Sequence, residues 1–348
     1  PLESGPDPPL SPVGNSIRFG NLDGDSDLDI VFSKTESNSV SYLLYYRRDV
    51  DANQNTIWTR YLIEATTNNP VKDIDVGDVS GEAMNDIIIL QGSAIYYYLN
   101  DGLWTKKTVD AAAGAVNAIR LGDVNGDGYQ DIVAALNAGV VKLYRNTPAT
   151  PGTFQAALTY TVFGTPNLMS IDTGNQDADS TNYDDVVVGG ANGNIFRLLG
   201  GAAGLTFSGN PYASPGGGAS VIGVKIVEVC SSSCPAGTME IMAAYSSSIR
   251  IYPHATLGFP LGFLTTITLA APYNGHPLSS LAAGDFDDDG DDDFAVATAA
   301  NNQGEILYFR NTNGATGASW DAVRTVDILN VRVFDIDAGD ADKGKMSR

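Results

Sequence analysis

Histidine, cysteine and positive charge are all scarce in this chain of 348 residues. The two histidines, His254 and His276, and the two cysteines, Cys230 and Cys234, are too few for a zinc site of the usual Cys/His kind. Neither histidine sits in a recognisable catalytic motif, and both read as ordinary loop residues. No nucleophile elbow, phosphate loop or zinc-protease helix motif is found, so enzyme chemistry is not expected. Lys and Arg number 20 against 41 Asp and Glu, a net charge of −21, which argues against nucleic acid and against anionic membrane surfaces as partners. No apolar run approaches the roughly 18 residues of a membrane span, so direct insertion is not expected. Helical periodicity is nowhere sustained. The Pro-rich start, residues 1–15, lacks the pattern of a signal peptide and reads as a mature or trimmed beginning.

What the chain does have is a 43% hydrophobic fraction, enough for a core, and acid gathered into short clusters. The clearest cluster runs from Gly122 to Val133. Oxygen-bearing side chains stand at the first, third, fifth and ninth places from Asp123, with Gly126 and Gly128 between them to let the backbone curl. Hard oxygens at alternate positions of a glycine-containing loop suit Ca²⁺, which takes several carboxylate, amide and carbonyl ligands at roughly 2.3–2.6 Å.

The cluster recurs. Loops open at Asn21, Asp78, Asp123, Asn175, Cys230, Asp285 and Asp340, spaced 45 to 57 residues apart. An apolar strand ending in Gly plus an acid or amide precedes most loops, as in Phe19-Gly20-Asn21 and Leu121-Gly122-Asp123. A second strand opens on an acid, at Asp29, Asp86, Asp131, Asp185, Glu240 and Asp293. A third is rich in aromatics and twice ends alike, Arg145-Asn146 and Arg310-Asn311. A fourth carries one large aromatic: Trp58, Trp104, Phe154, Phe207, Phe263 or Trp320, expected to pack between sheets. Four short antiparallel strands per unit of this length predict an all-β fold, a β-propeller of four-stranded blades, because a single twisted sheet covers its faces only by stacking on neighbours.

These units resemble the FG-GAP/VCBS repeats of integrin α-subunit propellers, which are also seen in secreted lectins and in accessory regions of polysaccharide-degrading enzymes. The resemblance covers roughly residues 16–348 and implies a seven-bladed ring: six full repeats and the start of a seventh, incomplete in this chain. Either the chain is part of a longer protein, or another chain closes the ring, or the ring stays open; the first is favoured.

About five structural Ca²⁺ sites are expected. The first loop offers Asn21, Asp23, Asp25 and Asp29 with the Asp27 carbonyl. The second offers Asp78, Ser80, Glu82 and Asp86 with the Met84 carbonyl. The third offers Asp123, Asn125, Asp127 and Asp131 with the Tyr129 carbonyl. The longer fourth offers Asn175, Asp177, Asp179 and Asp185. The sixth offers Asp285, Asp287, Asp289 and Asp293 with the Asp291 carbonyl. Carboxylates this close repel one another unless a cation or protons intervene. An EF-hand is excluded, since the twelfth positions are Phe32, Ala134 and Val296 and strands replace its helices.

In the fifth loop Cys230 and Cys234 fall on the first and fifth ligand places, so a Cys230–Cys234 disulfide is expected to replace the metal. In the seventh, Asp340 and Asp342 are followed by Lys343, Gly344, Lys345 and Arg348, and no metal is expected. A disulfide with calcium loops predicts an oxidising, calcium-rich setting, extracellular or at the cell surface. The expected function is a binding, adhesion or assembly module for a protein or glycan. The resemblance implies the rim away from the calcium loops as its face, where turns such as Lys34–Ser39, Gly189–Asn194 and Ala299–Gly304 lie. An accessory or catalytic domain of a polysaccharide-active enzyme such as a lyase, and a structural subunit of a surface filament or coat, are the alternatives. The chain has no Asn-x-Ser/Thr glycan acceptor.

Overall fold

The computed structural model describes residues 13–25, 27–51, 55–82, 84–176, 183–207, 209–214, 218–229, 239–253, 265–269, 273, 276–287, 289–299, 304–312, 320–321, 324–329 and 333–338. These form six four-stranded antiparallel sheets, each made of strands consecutive in sequence. Blade one holds β1 (Val13–Gly20), β2 (Asp29–Thr35), β3 (Val40–Val50) and β4 (Thr56–Thr67). Blade two holds β5 (Val71–Gly77), β6 (Asp86–Gln91), β7 (Ala94–Leu99) and β8 (Thr105–Asp110). Blade three holds β9 (Val116–Gly122), β10 (Asp131–Leu136), β11 (Val140–Tyr144) and β12 (Leu158–Thr161). Blade four holds β13 (Leu168–Gly174), β14 (Asp185–Gly190), β15 (Ile195–Leu199) and β16 (Thr206–Phe207). Blade five holds β17 (Val221–Val227), β18 (Glu240–Tyr245), β19 (Ser248–Tyr252) and β20 (Thr265–Thr268). Blade six holds β21 (Leu278–Gly284), β22 (Asp293–Thr298), β23 (Gly304–Phe309) and β24 (Arg324–Leu329).

Residue type follows position in the blade. The second strands β6, β10, β14 and β18 are buried along their whole length, which is why they read as unbroken Ile, Val and Ala rather than alternating. The outer strand β8 faces solvent and carries Thr and Lys. Between neighbouring blades the faces close on apolar clusters. Val31, Leu43 and Tyr45 of blade one meet Ile74, Ile87 and Ile89 of blade two. Similar clusters join blades two and three, three and four, four and five, and five and six. Each fully buried Ile or Val contributes about 1.5–3 kcal/mol, so these seams carry most of the stability.

The aromatics expected on the fourth strands mostly serve the same packing, although Trp104, Phe154 and Trp320 stand ahead of β8, β12 and β24 rather than on them. Trp104 meets the Tyr45 ring edge-on at 5.7 Å, and Phe154 meets Tyr97 at 6.0 Å, both across blade boundaries. Trp320 packs on Phe294 and Phe207 on Phe196. Phe263 lies outside the described residues. Trp58 is the exception: it is 42% exposed on the long β3–β4 hairpin, beside exposed Ile57 and Val50.

The seventh blade expected from the sequence is not formed; the described residues make six complete blades. Of the segment expected to open it, residues 333–338 pair with no strand. A blade needs three further strands to satisfy the first, and none follows among the described residues. Residues 333–338 instead run as a strap between blades one and six. Asp335 takes hydrogen bonds from Ser16 Oγ (3.1 Å), Ile17 N (3.2 Å) and Arg18 Nη1 (2.8 Å) of β1 and from Ser280 Oγ (2.9 Å) of β21. No apolar cluster joins blades one and six among the described residues, so this polar strap is what links them. Asp340, Asp342 and the residues after them lie outside the described set.

Candidate metal centres and the bore

The acidic loops join the first and second strand of each blade, all at one end of the ring. Loops three and six share one hydrogen-bond template. In loop three Asp127 N and Gly128 N donate to the two Asp123 carboxylate oxygens at 3.0 and 2.8 Å, and Tyr129 N donates to Asp127 Oδ1 at 3.0 Å. In loop six Asp289 N and Gly290 N donate to Asp285 at 3.1 and 2.9 Å, and Asp291 N donates to Asp289 Oδ1 at 3.2 Å. Gly128 and Gly290 have φ of +85° and +90°, the left-handed turn that brings those amides round. Loop six brings a carboxylate oxygen from each of Asp285, Asp287 and Asp289 within 4.8 Å of one another. Asn125 stands at the matching place in loop three and donates to Asp127 Oδ2 at 2.9 Å.

Loop one follows the template in part. Gly24 N bonds Asn21 Oδ1 at 2.9 Å, Asp25 N bonds Asp23 at 3.2 Å and Asp27 N bonds Asp25 at 2.7 Å. Its acids also meet arginine: Arg47 Nε lies 3.8 Å from Asp23, and Arg48 Nη1 lies 2.5 Å from Asp27. Arg310 pairs in the same manner with Asp287 and, at 3.4 Å, with Asp289. In loop two Asp78 Oδ1 accepts from Gly81 N at 2.6 Å, while Glu82 is exposed and Ser80 and Met84 are half-buried. In loop four Asn175 and buried Asp185 are placed, but Asp177 and Asp179 lie outside the described residues. So do Cys230, Cys234 and His254. His276 Nδ1 lies 2.9 Å from Glu305.

The ninth-place acids have a second role that the sequence did not reveal. Each is buried at the first residue of a second strand. One oxygen accepts an amide that follows the third strand, or in blade one lies within its extended end: Asp29 from Arg48 N, Asp86 from Asn100 N, Asp131 from Asn146 N, Asp185 from Gly200 N and Asp293 from Asn311 N, at 2.6–2.9 Å. Glu240 is buried at the same place in blade five, where no metal is expected, and accepts from Val229 N at 3.2 Å. Burial of this acid is thus common to the corner of all six blades. Asp29 commits both oxygens to protein donors, since Leu22 N (2.9 Å) and Tyr45 Oη (3.3 Å) take the other. Asp131 does not: its Oδ2 is buried with no hydrogen-bond partner. Burial, and then the charges of Asp127 and Asp123, push its carboxyl up to about 7 against the pull of Asn146 N. Burial likewise raises Asp293 and Asp287, the latter with its loop neighbours adding to the effect.

Adjacent loops are stitched together. Asn100 Nδ2 donates to Leu22 O of blade one at 2.6 Å, Asn146 Nδ2 to Val79 O of blade two at 2.8 Å, and Asn311 Nδ2 to Val229 O of blade five at 3.0 Å. Gly201 N does the same to Val124 O of blade three at 2.9 Å. The repeated Arg-Asn ending was the signal for two of these stitches.

The first strands line the bore with charge that alternates in sign. Arg18, Asp75, Arg120, Asp172 and Lys225 stand two residues before the strand ends of blades one to five. Arg18 pairs with Asp73 at 3.2 Å, Asp335 at 2.8 Å and Asp75 at 3.9 Å, and Arg120 with Asp73 at 3.1 Å. Burial works against the Arg18 charge, but Asp335, Asp73, Asp337 and Asp75 together raise its pKa above the ordinary value. The acids also hold the next blade's backbone: Asp73 takes Ile119 N at 2.9 Å, Asp75 takes Leu121 N at 2.7 Å and Asp172 takes Ile226 N at 2.9 Å. In the strap Asp335 and Asp337 do this to Ile17 N and Phe19 N of blade one.

No family model matches the chain, and no curated protein matches its sequence. The resemblance to FG-GAP/VCBS repeats thus rests on the loop residues, their spacing and their flanking strands, with no family model behind it. Solved structures do match. The chain is similar to BBS1N, crystallised in complex with ARL6DN and soaked with lead, at 11% identity and a TM-score of 0.53, over 89% of this chain and 81% of that one. It is also similar to Sqt1 of Saccharomyces cerevisiae, at 10% identity and a TM-score of 0.57, over 94% of this chain and 77% of that one. At such identities the likeness is one of fold, and together with the six stacked four-stranded sheets it makes this chain a β-propeller.

Proposed function

We propose that this chain is a calcium-stabilised interaction module that works outside the cytosol and holds a partner protein on the rim away from its acidic loops. The observation that carries the calcium reading is loop six. Three carboxylate oxygens converge there within 4.8 Å, on a backbone whose amides already fix Asp285 and Asp289. Loop three repeats that template and adds the partnerless Asp131 Oδ2. Arg310 partly neutralises loop six, so a divalent ion binding there competes with a guanidinium. Ca²⁺ has no redox role in such loops; it neutralises clustered charge and stiffens the corners. The partner reading draws on the similar BBS1N fold, whose structure is a complex with another protein, and on the habit of propellers to present turns at their rims.

The test is thermal melting with and without calcium. Extracellular sites with Kd near 10⁻⁴ M gain about 1.4 kcal/mol each at roughly 1 mM Ca²⁺. Melting should therefore rise on adding Ca²⁺ to chelated protein, and Asp285→Ala should blunt the rise. Identical melting curves in EDTA and millimolar Ca²⁺ would end this reading.

A further inference from the structure

All six first strands carry a register shift at the same place, near the end remote from the acidic loops. The residues at the shifts are Asn15, Lys72, Asn117, Met169, Ile222 and Ser279. A bulge leaves its extra residue unpaired and re-aims the side chain. Here all six residues line one polar cavity of about 190 Å³ at the mouth of the bore, the Lys72 ammonium turning to Gly92 O at 2.7 Å. Four cations, Arg18, Lys72, Arg120 and Lys225, share that lining with only two carboxylates, Asp73 and Asp335. In a chain of net charge −21 this is an unusual concentration of positive charge.

The two carboxylates are already saturated. Asp73 accepts from Ser16 Oγ, Arg18, Ile74 N, Ile119 N and Arg120, and Asp335 has the four donors given above. At the level of Arg120 and Lys225 themselves, Asp75 and Asp172 are turned to the backbone amides of the next strand, as is Asp337 of the strap. Several donors remain. Arg120 uses only Nη1, on Asp73 and on Ile119 O, which leaves Nη2 and Nε. Lys225 has one contact, with Asp172 at 3.6 Å, beyond hydrogen-bond distance. The hydroxyls of Ser170 and Ser279 are buried with no hydrogen-bond partner.

We infer that this mouth is a binding site for a small carboxylate anion, seated between Arg120 and Lys225 and reached by the Ser170 hydroxyl. The cavity is sized for a group no larger than one uronic acid or one amino-acid residue. Guanidinium and ammonium donors with hydroxyls between them are the set that recognises carboxylate oxygens. The inference goes beyond the rim reading and needs neither calcium nor a protein partner.

Isothermal titration at low ionic strength tests it, with glucuronate and the α-amide of N-acetylglutamate as probes and glucose and the α-amide of N-acetylglutamine as neutral controls. Saturable binding of either anion, absent for its neutral counterpart, supports the site, and the anion that binds tells sugar from amino acid. Lys225→Met and Ser170→Ala leave the Asp73 and Asp335 networks intact, so both should melt like the parent chain. Lys225→Met should weaken binding about tenfold or more, the loss of a bond to a charged group. No saturable heat with either anion overturns the inference. So does equal binding of the neutral controls, or unchanged affinity in both variants.

Discussion

Replacing Asp335 by alanine tests how blades one and six are held together. The carboxylate takes four hydrogen bonds, from Ser16 Oγ, Ile17 N, Arg18 Nη1 and Ser280 Oγ, and bridges two blades that share no apolar seam among the described residues. Removing one partner of a buried ion pair costs about 3–5 kcal/mol when the other charge is stranded. Arg18 is not fully stranded, because Asp73 stays at 3.2 Å and Asp75 at 3.9 Å. The expected loss is therefore about 3 kcal/mol, at the low end of that range. For a chain of this size that lowers the melting temperature by roughly 4 °C. Scanning calorimetry reads it directly. Asp321→Ala is the control: it breaks the exposed Arg324–Asp321 pair and should change stability by under about 0.5 kcal/mol. Acid should act in the same direction. Burial alone raises the Asp335 carboxyl, but Arg18 and Arg120, with Ser280 Oγ and Ile17 N, bring it below the ordinary carboxylate range. Its stabilising effect is thus present above the unfolded value near pH 4 and lost as pH falls further. If Asp335→Ala melts within about a degree of the parent chain, the strap does not close the ring and this reasoning fails.

Two further outcomes can be checked alongside it. Asp131 holds its proton to about pH 7 in the fold and only to about 4 when unfolded, so its burial costs stability as pH rises through that window. In EDTA, Asp131→Asn should be no less stable than the parent chain above about pH 7, yet its gain on adding Ca²⁺ should be smaller by one site, both read from melting curves. Asn146 is fully buried, donates to Val79 O and Gln130 O, and accepts from Thr147 N and Gly152 N. Asn146→Ala should therefore cost about 2–4 kcal/mol in urea unfolding, through buried groups left without partners.

Much of the ring was legible because its strands are locally specified. The second strands begin at the acids Asp29, Asp86, Asp131, Asp185, Glu240 and Asp293, where an apolar run follows one buried carboxylate. The count of blades was not legible. Asp335-Ile336-Asp337 repeats the wording of Asp73-Ile74-Asp75, and local wording cannot say whether three more strands exist to pair with it. Nor was the bore. Arg18 and Asp335 lie 317 positions apart, and nothing in either neighbourhood says that they meet. The loops were half legible. Sequence lists the oxygens available to a cation but not the donors that already hold them, so Asp29 read as a ligand while its oxygens serve Leu22, Tyr45 and Arg48.

The asparagine stitches of blades two, three and six all point one way, to the blade before. That polarity matches the order of synthesis. A ribosome delivers blade one before the other five, so each of these three blades emerges beside a finished docking carbonyl and can settle without waiting for the rest of the chain. At the matching position of blade one stands Arg48, whose side chain turns to Asp27 of its own loop. Only the strap must wait until residues 333–338 are made, so a growing chain should gain its seams one by one and the link between blades one and six in a single later step.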